Sequence, residues 1–113
     1  MNTCTKLLRT RKISHYITIK MLLESKVQAS IISYCKRRGY KCIKLITTNT
    51  NGIADLLILT LDKDAIFCEV KRPGKKPEPL QEFRQSEFLP YCTGYFWADS
   101  LAMFKEKLLT IPL

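Results

Sequence analysis

The 113 residues are enough for one hydrophobic core and too few for two. Apolar residues at 46% and charged residues at 26% exclude a disordered chain, and four glycines and five prolines exclude collagen-like or low-complexity sequence. No apolar run approaches the ~20 residues that span a bilayer, and a net charge of +9 favours phosphate-rich partners.

The first twenty residues carry Lys6, Arg9, Arg11, Lys12 and Lys20 and no acid. They show no clear period, so they read as a basic N-terminal arm that is flexible, a transit segment, or the product of a start placed too early, before Met21. The patterned domain is expected over residues 21–113. From Leu22 to Arg38 the pattern is helical: Val27, Ile31, Tyr34 and Cys35 define one apolar face, and Glu24 lies on that same face. Gly39 is the expected C-terminal cap, with Lys36, Arg37 and Arg38 in the last turn, where cations suit the helix dipole.

Tyr40 to Thr47 reads as a strand, and Thr48 to Gly52 as a loop. Ile53 to Leu61 is a second strand, so apolar that it should be central. Asp62 to Asp64 makes a tight reversal into a third strand, Ala65 to Lys71. The segment Arg72 to Pro79 holds three prolines and a glycine and can continue neither strand nor helix. Pro79 suits the first position of a helix over Leu80 to Leu89, which Pro90 ends. Tyr95 to Ala98 is a short aromatic strand, with Phe96 facing one way and Tyr95 and Trp97 the other. Asp99 or Ser100 caps a last helix carrying Leu101, Phe104 and Leu108. The predicted order is αβββαβα, an α/β fold with a central mixed sheet flanked by helices.

The five cysteines form no C-x-x-C pair, and His15 is the single histidine, so a zinc knuckle is not expected. Cysteines among apolar neighbours suit a reducing, intracellular compartment.

Polar residues inside strands carry the chemistry. Glu69 and Lys71 project to one face of the third strand, and Asp55, on the neighbouring strand, can reach that face. Adjacent carboxylates repel unless something neutralises them, and a hard divalent cation does so. Asp55, Glu69 and the Val70 carbonyl could ligate Mg²⁺ or Mn²⁺, leaving positions for water and a phosphate oxygen. Glu24 could approach from the side and reach the ion through a water. Such a set suits phosphodiester hydrolysis, with Lys71 orienting or deprotonating the attacking water, or stabilising charge on phosphorus. Each feature alone is ordinary: E-x-K in a strand is commonly a salt-bridge ladder, and Asp55 a strand-start residue. Their joint order, helix Glu, strand Asp, strand E-x-K, is much less so.

In that order the sequence resembles the small VRR-NUC type of the PD-(D/E)XK nuclease superfamily, found in phage and bacterial proteins. The resemblance runs from Leu22 to Leu108 and rests on Glu24-Ser-Lys-Val-Gln28, Arg38-Gly-Tyr40, Asn51-Gly-Ile-Ala-Asp55, Glu69-Val-Lys-Arg-Pro-Gly74 and Pro79-Leu-Gln81. It implies a restriction-endonuclease-like fold and a nuclease with Mg²⁺ or Mn²⁺ at Asp55 and Glu69. It further implies Lys71 as the catalytic lysine, an active-site role for Glu24, and a supporting hydrogen bond from Gln81. One departure is Ala54, where the family usually has proline; a modest change in loop rigidity is expected and nothing more.

Arg72, Lys75, Lys76 and the cluster Lys36, Arg37 and Arg38 are candidate DNA phosphate contacts, which give affinity without reading sequence. No zinc finger or basic zipper is present, so selectivity for branched or four-way-junction DNA is expected. The resemblance implies a homodimer that pairs two active sites. The cytoplasm of a bacterial or phage-infected cell is the expected setting, with no membrane partner and no organic cofactor. The competing readings are a nuclease or nickase without junction preference, and a non-catalytic DNA-binding module.

Overall fold

In the computed structural model the backbone is described for residues 3–111 and side chains from Tyr16 onward. The elements are α1 (Thr3–Arg37), β1 (Lys41–Lys44), β2 (Leu56–Leu59), β3 (Ala65–Val70), α2 (Pro79–Phe88), a 3-10 turn (Leu89–Tyr91), β4 (Gly94–Ala98) and α3 (Leu101–Leu108). The order αβββαβα stands, with the short 3-10 turn added at Pro90.

The largest difference lies in α1. The helix begins at Thr3 rather than Leu22, because no glycine or proline interrupts residues 3–37. Thirty-five residues at ~1.5 Å rise give a rod of about 50 Å. Its middle turns are not core: Tyr16, Ile17, Ile19, Met21, Leu22 and Leu23 are exposed, and burial starts at Val27. The side chains of Lys6, Arg9, Arg11 and Lys12 lie outside the described residues. At its other end α1 closes as expected. Gly39 has φ +79°, the amide of Tyr40 donates to Cys35 O (2.9 Å), and that of Gly39 donates to Lys36 O (3.1 Å). This is a Schellman cap.

The sheet order is β1-β2-β3-β4. β1–β2 and β2–β3 are antiparallel, whereas β3 and β4 are parallel and joined through α2. Both apolar strands are therefore central. Alternation splits the sheet into two faces. Leu56, Ile58, Ile66, Cys68, Val70, Phe96 and Ala98 face Val27, Ile31 and Cys35 of α1 and Phe104 of α3. Phe104 meets Tyr34 edge-on at 6.0 Å and Phe96 at 5.6 Å. On the opposite face Phe67 stacks on Tyr95 at 5.1 Å and meets Phe88 of α2 at 6.1 Å. The expected split of Phe96 from Tyr95 is what the sheet shows. Ser100 is the α3 cap, its Oγ accepting from Met103 N at 3.1 Å.

The four described cysteines are free thiols. No helix among the described residues is long and apolar enough to cross a membrane.

Candidate active site

The site lies where β2 and β3 stop pairing. The antiparallel register ends at Leu56↔Cys68, so Asp55 stands opposite Glu69 just beyond it. The amide of Lys71 donates to Ala98 O (2.9 Å), which turns the backbone groups of Val70 the other way, toward β2. There the Val70 amide finds no backbone partner. It donates instead to Asp55 Oδ2 at 2.8 Å. The Asp55 carbonyl in turn accepts from Leu45 N at 2.8 Å. Asp55 is thus held at its main chain by the strand before it and at its carboxylate by the strand after it.

Glu69 and Lys71 are buried, 4% and 7% exposed, on a strand whose other face is core. Glu69 Oε1 accepts from Gln81 Nε2 at 2.8 Å and lies 3.9 Å from Lys71 Nζ. Gln81 is fixed for this task by helix α2 itself. Its Oε1 accepts from the Glu78 amide at 2.8 Å, in the reciprocal arrangement of a helix capping box, so its amide nitrogen must point at the sheet. Glu69 Oε2 is buried with no hydrogen-bond partner.

Burial first, and then the charge of Asp55, push Glu69 up to about 9, against the smaller opposing pull of Lys71. Glu69 is therefore protonated at neutral pH while the pair is left to itself. Buried polar atoms are rarely left without a partner, and an orphaned carboxylate oxygen beside a second carboxylate suits a cation. Asp55, Glu69 and Gln81 line an open cleft of about 400 Å³ against the 45–53 segment.

Glu24 reaches the group by another route. α1 packs on the opposite face, so Glu24 comes in past the strand ends. Its carboxyl is raised by desolvation first and by Asp55 second, with Lys71 and Arg72 pulling it down. It shares the field of the site without joining the pair as a third carboxylate: no set of three or more His, Cys, Asp or Glu converges among the described residues.

The phosphate candidates separate. Arg72 follows Lys71 directly and belongs to the field around Glu24. Lys75 pairs with Glu78 at 3.0 Å on the surface, and Lys76 is exposed on the same loop. Gly74 is tied down by its amide donating to Asp99 Oδ2 at 3.0 Å. Lys36, Arg37 and Arg38 sit at the other end of the sheet. β1 leaves them at Lys41 and arrives beside Asp55 at Leu45, and along α1 they lie about 20 Å from Glu24. The structure does not bring them to the carboxylates.

Three supports were not among the site residues singled out in the sequence. Arg84 of α2 donates through Nε to Asn51 O at 2.7 Å, tying the helix to the loop before Asp55. Gly52, at φ +79°, lies so close to Leu80 that an added Cβ would sit 2.6 Å from its Cγ. Tyr95 Oη accepts from the Ala54 amide at 2.8 Å in the interior. Only the glycine is marked in sequence, as the end of an Asn-Gly turn.

No family model matches the chain. A curated protein of Acyrthosiphon pisum secondary endosymbiont phage 1, named Putative nuclease p44, is 27% identical over 63 residues, spanning 56% of this chain and 68% of that protein. A solved structure described as a VRR_NUC domain superposes with a TM-score of 0.67 at 23% identity, covering 75% of this chain and 92% of its own. The chain has the VRR-NUC-type, restriction-endonuclease-like α/β fold, and both comparisons support the resemblance drawn from the sequence.

Proposed function

We propose that this VRR-NUC-type chain is a divalent-metal-dependent nuclease that hydrolyses phosphodiester bonds in DNA. One observation carries the reading: the unpartnered, buried Oε2 of Glu69, on a carboxyl that lines an open cleft beside Asp55 and has Lys71 as its ion-pair neighbour. A structural ion pair would satisfy its oxygens. Here one oxygen is held by Gln81 and the other is left for a ligand.

Asp55, Glu69 and the Val70 carbonyl would hold Mg²⁺ or Mn²⁺, which when bound supplies positive charge to a non-bridging phosphate oxygen. Glu24, from across the strand ends, would orient water. Lys71 faces the same group and serves to orient or deprotonate the attacking water, or to offset charge growing on phosphorus. Gln81 keeps Glu69 in place. Arg72, Lys75 and Lys76 would contact the DNA backbone near the cut, and Lys36, Arg37 and Arg38 would do so at a distance.

The proposal extends to branched DNA, cut by a homodimer in the cytoplasm of a bacterial or phage-infected cell. Backbone contacts of this kind respond to the path of the phosphates rather than to base sequence. The four free thiols suit a reducing compartment.

The test is cleavage of a labelled four-way junction and a matched linear duplex with Mg²⁺, Mn²⁺ or EDTA. Asp55→Ala, Glu69→Ala and Lys71→Ala should each lower cutting by about a hundredfold or more while keeping DNA binding. Equal cutting by all four proteins would remove the site. Equal cutting of both substrates would leave a nuclease without junction preference, and binding without cutting would leave a DNA-binding module.

A further inference from the structure

Of the two facing carboxylates, Glu69 sits within the regular strand pairing and Asp55 lies just outside it, so something must hold the Asp55 backbone. β2 begins at Leu56, one residue later. The carbonyl of Asp55 is engaged by Leu45 toward β1, so the amide of Ala54 points the opposite way, toward β3. Ala54 is fully buried, and a buried N–H without an acceptor is costly. No β3 carbonyl takes it. The acceptor is the hydroxyl of Tyr95, 41 positions later in the chain and two strands away, at 2.8 Å.

Tyr95 is built for that reach. Its backbone is in register with Phe67, and its ring stacks on Phe67 at 5.1 Å. The side chain therefore crosses β3 on the face that carries Glu69, and ends under the loop that delivers Asp55. It is 4% exposed, so its hydroxyl has little water to exchange with. Gly52, two residues before Ala54, is pinned separately by Leu80.

We propose that Tyr95 is a positioning residue for Asp55: by accepting the Ala54 amide it fixes the backbone from which the Asp55 carboxylate reaches Val70 and the cleft. The inference rests on the reading of Asp55 as a site carboxylate, but its geometric part can be measured without catalysis. It also revises the weight of the Ala54 departure. A proline there has no N–H to give, so alanine adds a contact as well as removing a rigid ring.

The test uses the full chain with Tyr95→Phe, which keeps the ring stack and removes one oxygen. The Val70 amide is the reporter, because it donates to Asp55 Oδ2. In Tyr95→Phe the Ala54 and Val70 amides should shift in NMR spectra and lose exchange protection about tenfold or more, whereas the Ile58 amide should not change. Cutting at saturating DNA should fall about tenfold to a hundredfold, as for a displaced catalytic group, with the DNA dissociation constant within about twofold of wild type. Ala54→Pro supplies the second arm. With the donor gone, adding Tyr95→Phe should cost nothing further in turnover.

An unmoved Val70 amide in Tyr95→Phe would overturn the proposal, as would an equal cost of Tyr95→Phe in both backgrounds. Loss of DNA affinity with turnover intact would overturn it too. Wild-type protein that cuts no DNA would instead sink the nuclease reading, leaving the Val70 measurement to decide what Tyr95 holds.

Discussion

Gln81 Nε2 lies 2.8 Å from Glu69 Oε1, and the same side-chain amide accepts the Glu78 N–H at the start of α2. One residue thus caps a helix and aims a carboxylate. The helix cannot shift along its axis without releasing Glu69. Gln81→Ala should lower stability by about 1 kcal/mol through the lost cap. It should also lower cutting by more than that stability loss explains. Gln81→Glu keeps the acceptor for Glu78 but sets a second carboxylate against Glu69. Its thermal midpoint should sit near wild type while its metal affinity departs from it, as read by Mn²⁺ titration.

Glu69 gives the metal-free protein a defined pH response. Its folded value is raised to about 9 from an ordinary 4.5, chiefly by burial and next by Asp55. The native state therefore holds a proton that the unfolded state gives up between these values. That contribution is complete below about pH 4.5 and is lost as pH rises toward 9. Denaturant melts in EDTA should show stability falling over this window, and Glu69→Gln should flatten the slope. Mn²⁺ binding should release close to one proton at neutral pH, measurable by calorimetry in buffers of different ionisation enthalpy.

Gly52→Ala should destabilise the protein and slow cutting together. The position has φ +79°, and a Cβ would come within 2.6 Å and 3.0 Å of the Leu80 side chain. The backbone strain alone costs on the order of 1 kcal/mol. Adding Leu80→Ala should recover the steric part and not the strain. Partial recovery of the thermal midpoint in the double variant separates the two causes.

The basic residues should divide by distance. Replacing Lys75 and Lys76 by alanine should reduce the salt slope of DNA binding by up to about two, near 0.9 per lost phosphate contact. The Lys75–Glu78 pair is exposed at both ends, so its loss matters little to stability. Removing the charges of Lys36, Arg37 and Arg38 should change cleavage less, since these groups stand at the far end of β1. Filter binding over a salt series reads the first, and a cleavage assay on the same variants reads the second.

Glu24→Gln should be milder than Glu69→Gln. Glu24 is linked to the pair by field alone and retains water, whereas Glu69 is buried at 4% exposure. A greater loss of single-turnover rate in Glu24→Gln than in Glu69→Gln would show that Glu24 enters the reaction more directly.

The primary sequence determined the order of elements, the central place of the second strand, the cap at Gly39, the helix start at Pro79, and the shared face of Glu69 and Lys71. Each follows from local chemistry: side-chain alternation, helical period, and the few residues able to take a positive φ or start a helix. The start of α1 was not legible: a run without glycine or proline permits a helix, but turns that pack against no core carry no apolar period to mark it. Tertiary structure alone decided that Val70 gives its amide to Asp55, that Gln81 fixes Glu69, that Glu24 approaches from the other layer, and that Tyr95 accepts the Ala54 amide. Those pairings join residues up to 41 positions apart. The Val70 and Ala54 pairings exist because strands that end at different lengths leave backbone donors unpaired in the interior, and the Gln81 and Glu24 placements because helices from two layers meet at the strand ends; only the assembled sheet shows which side chain is within reach.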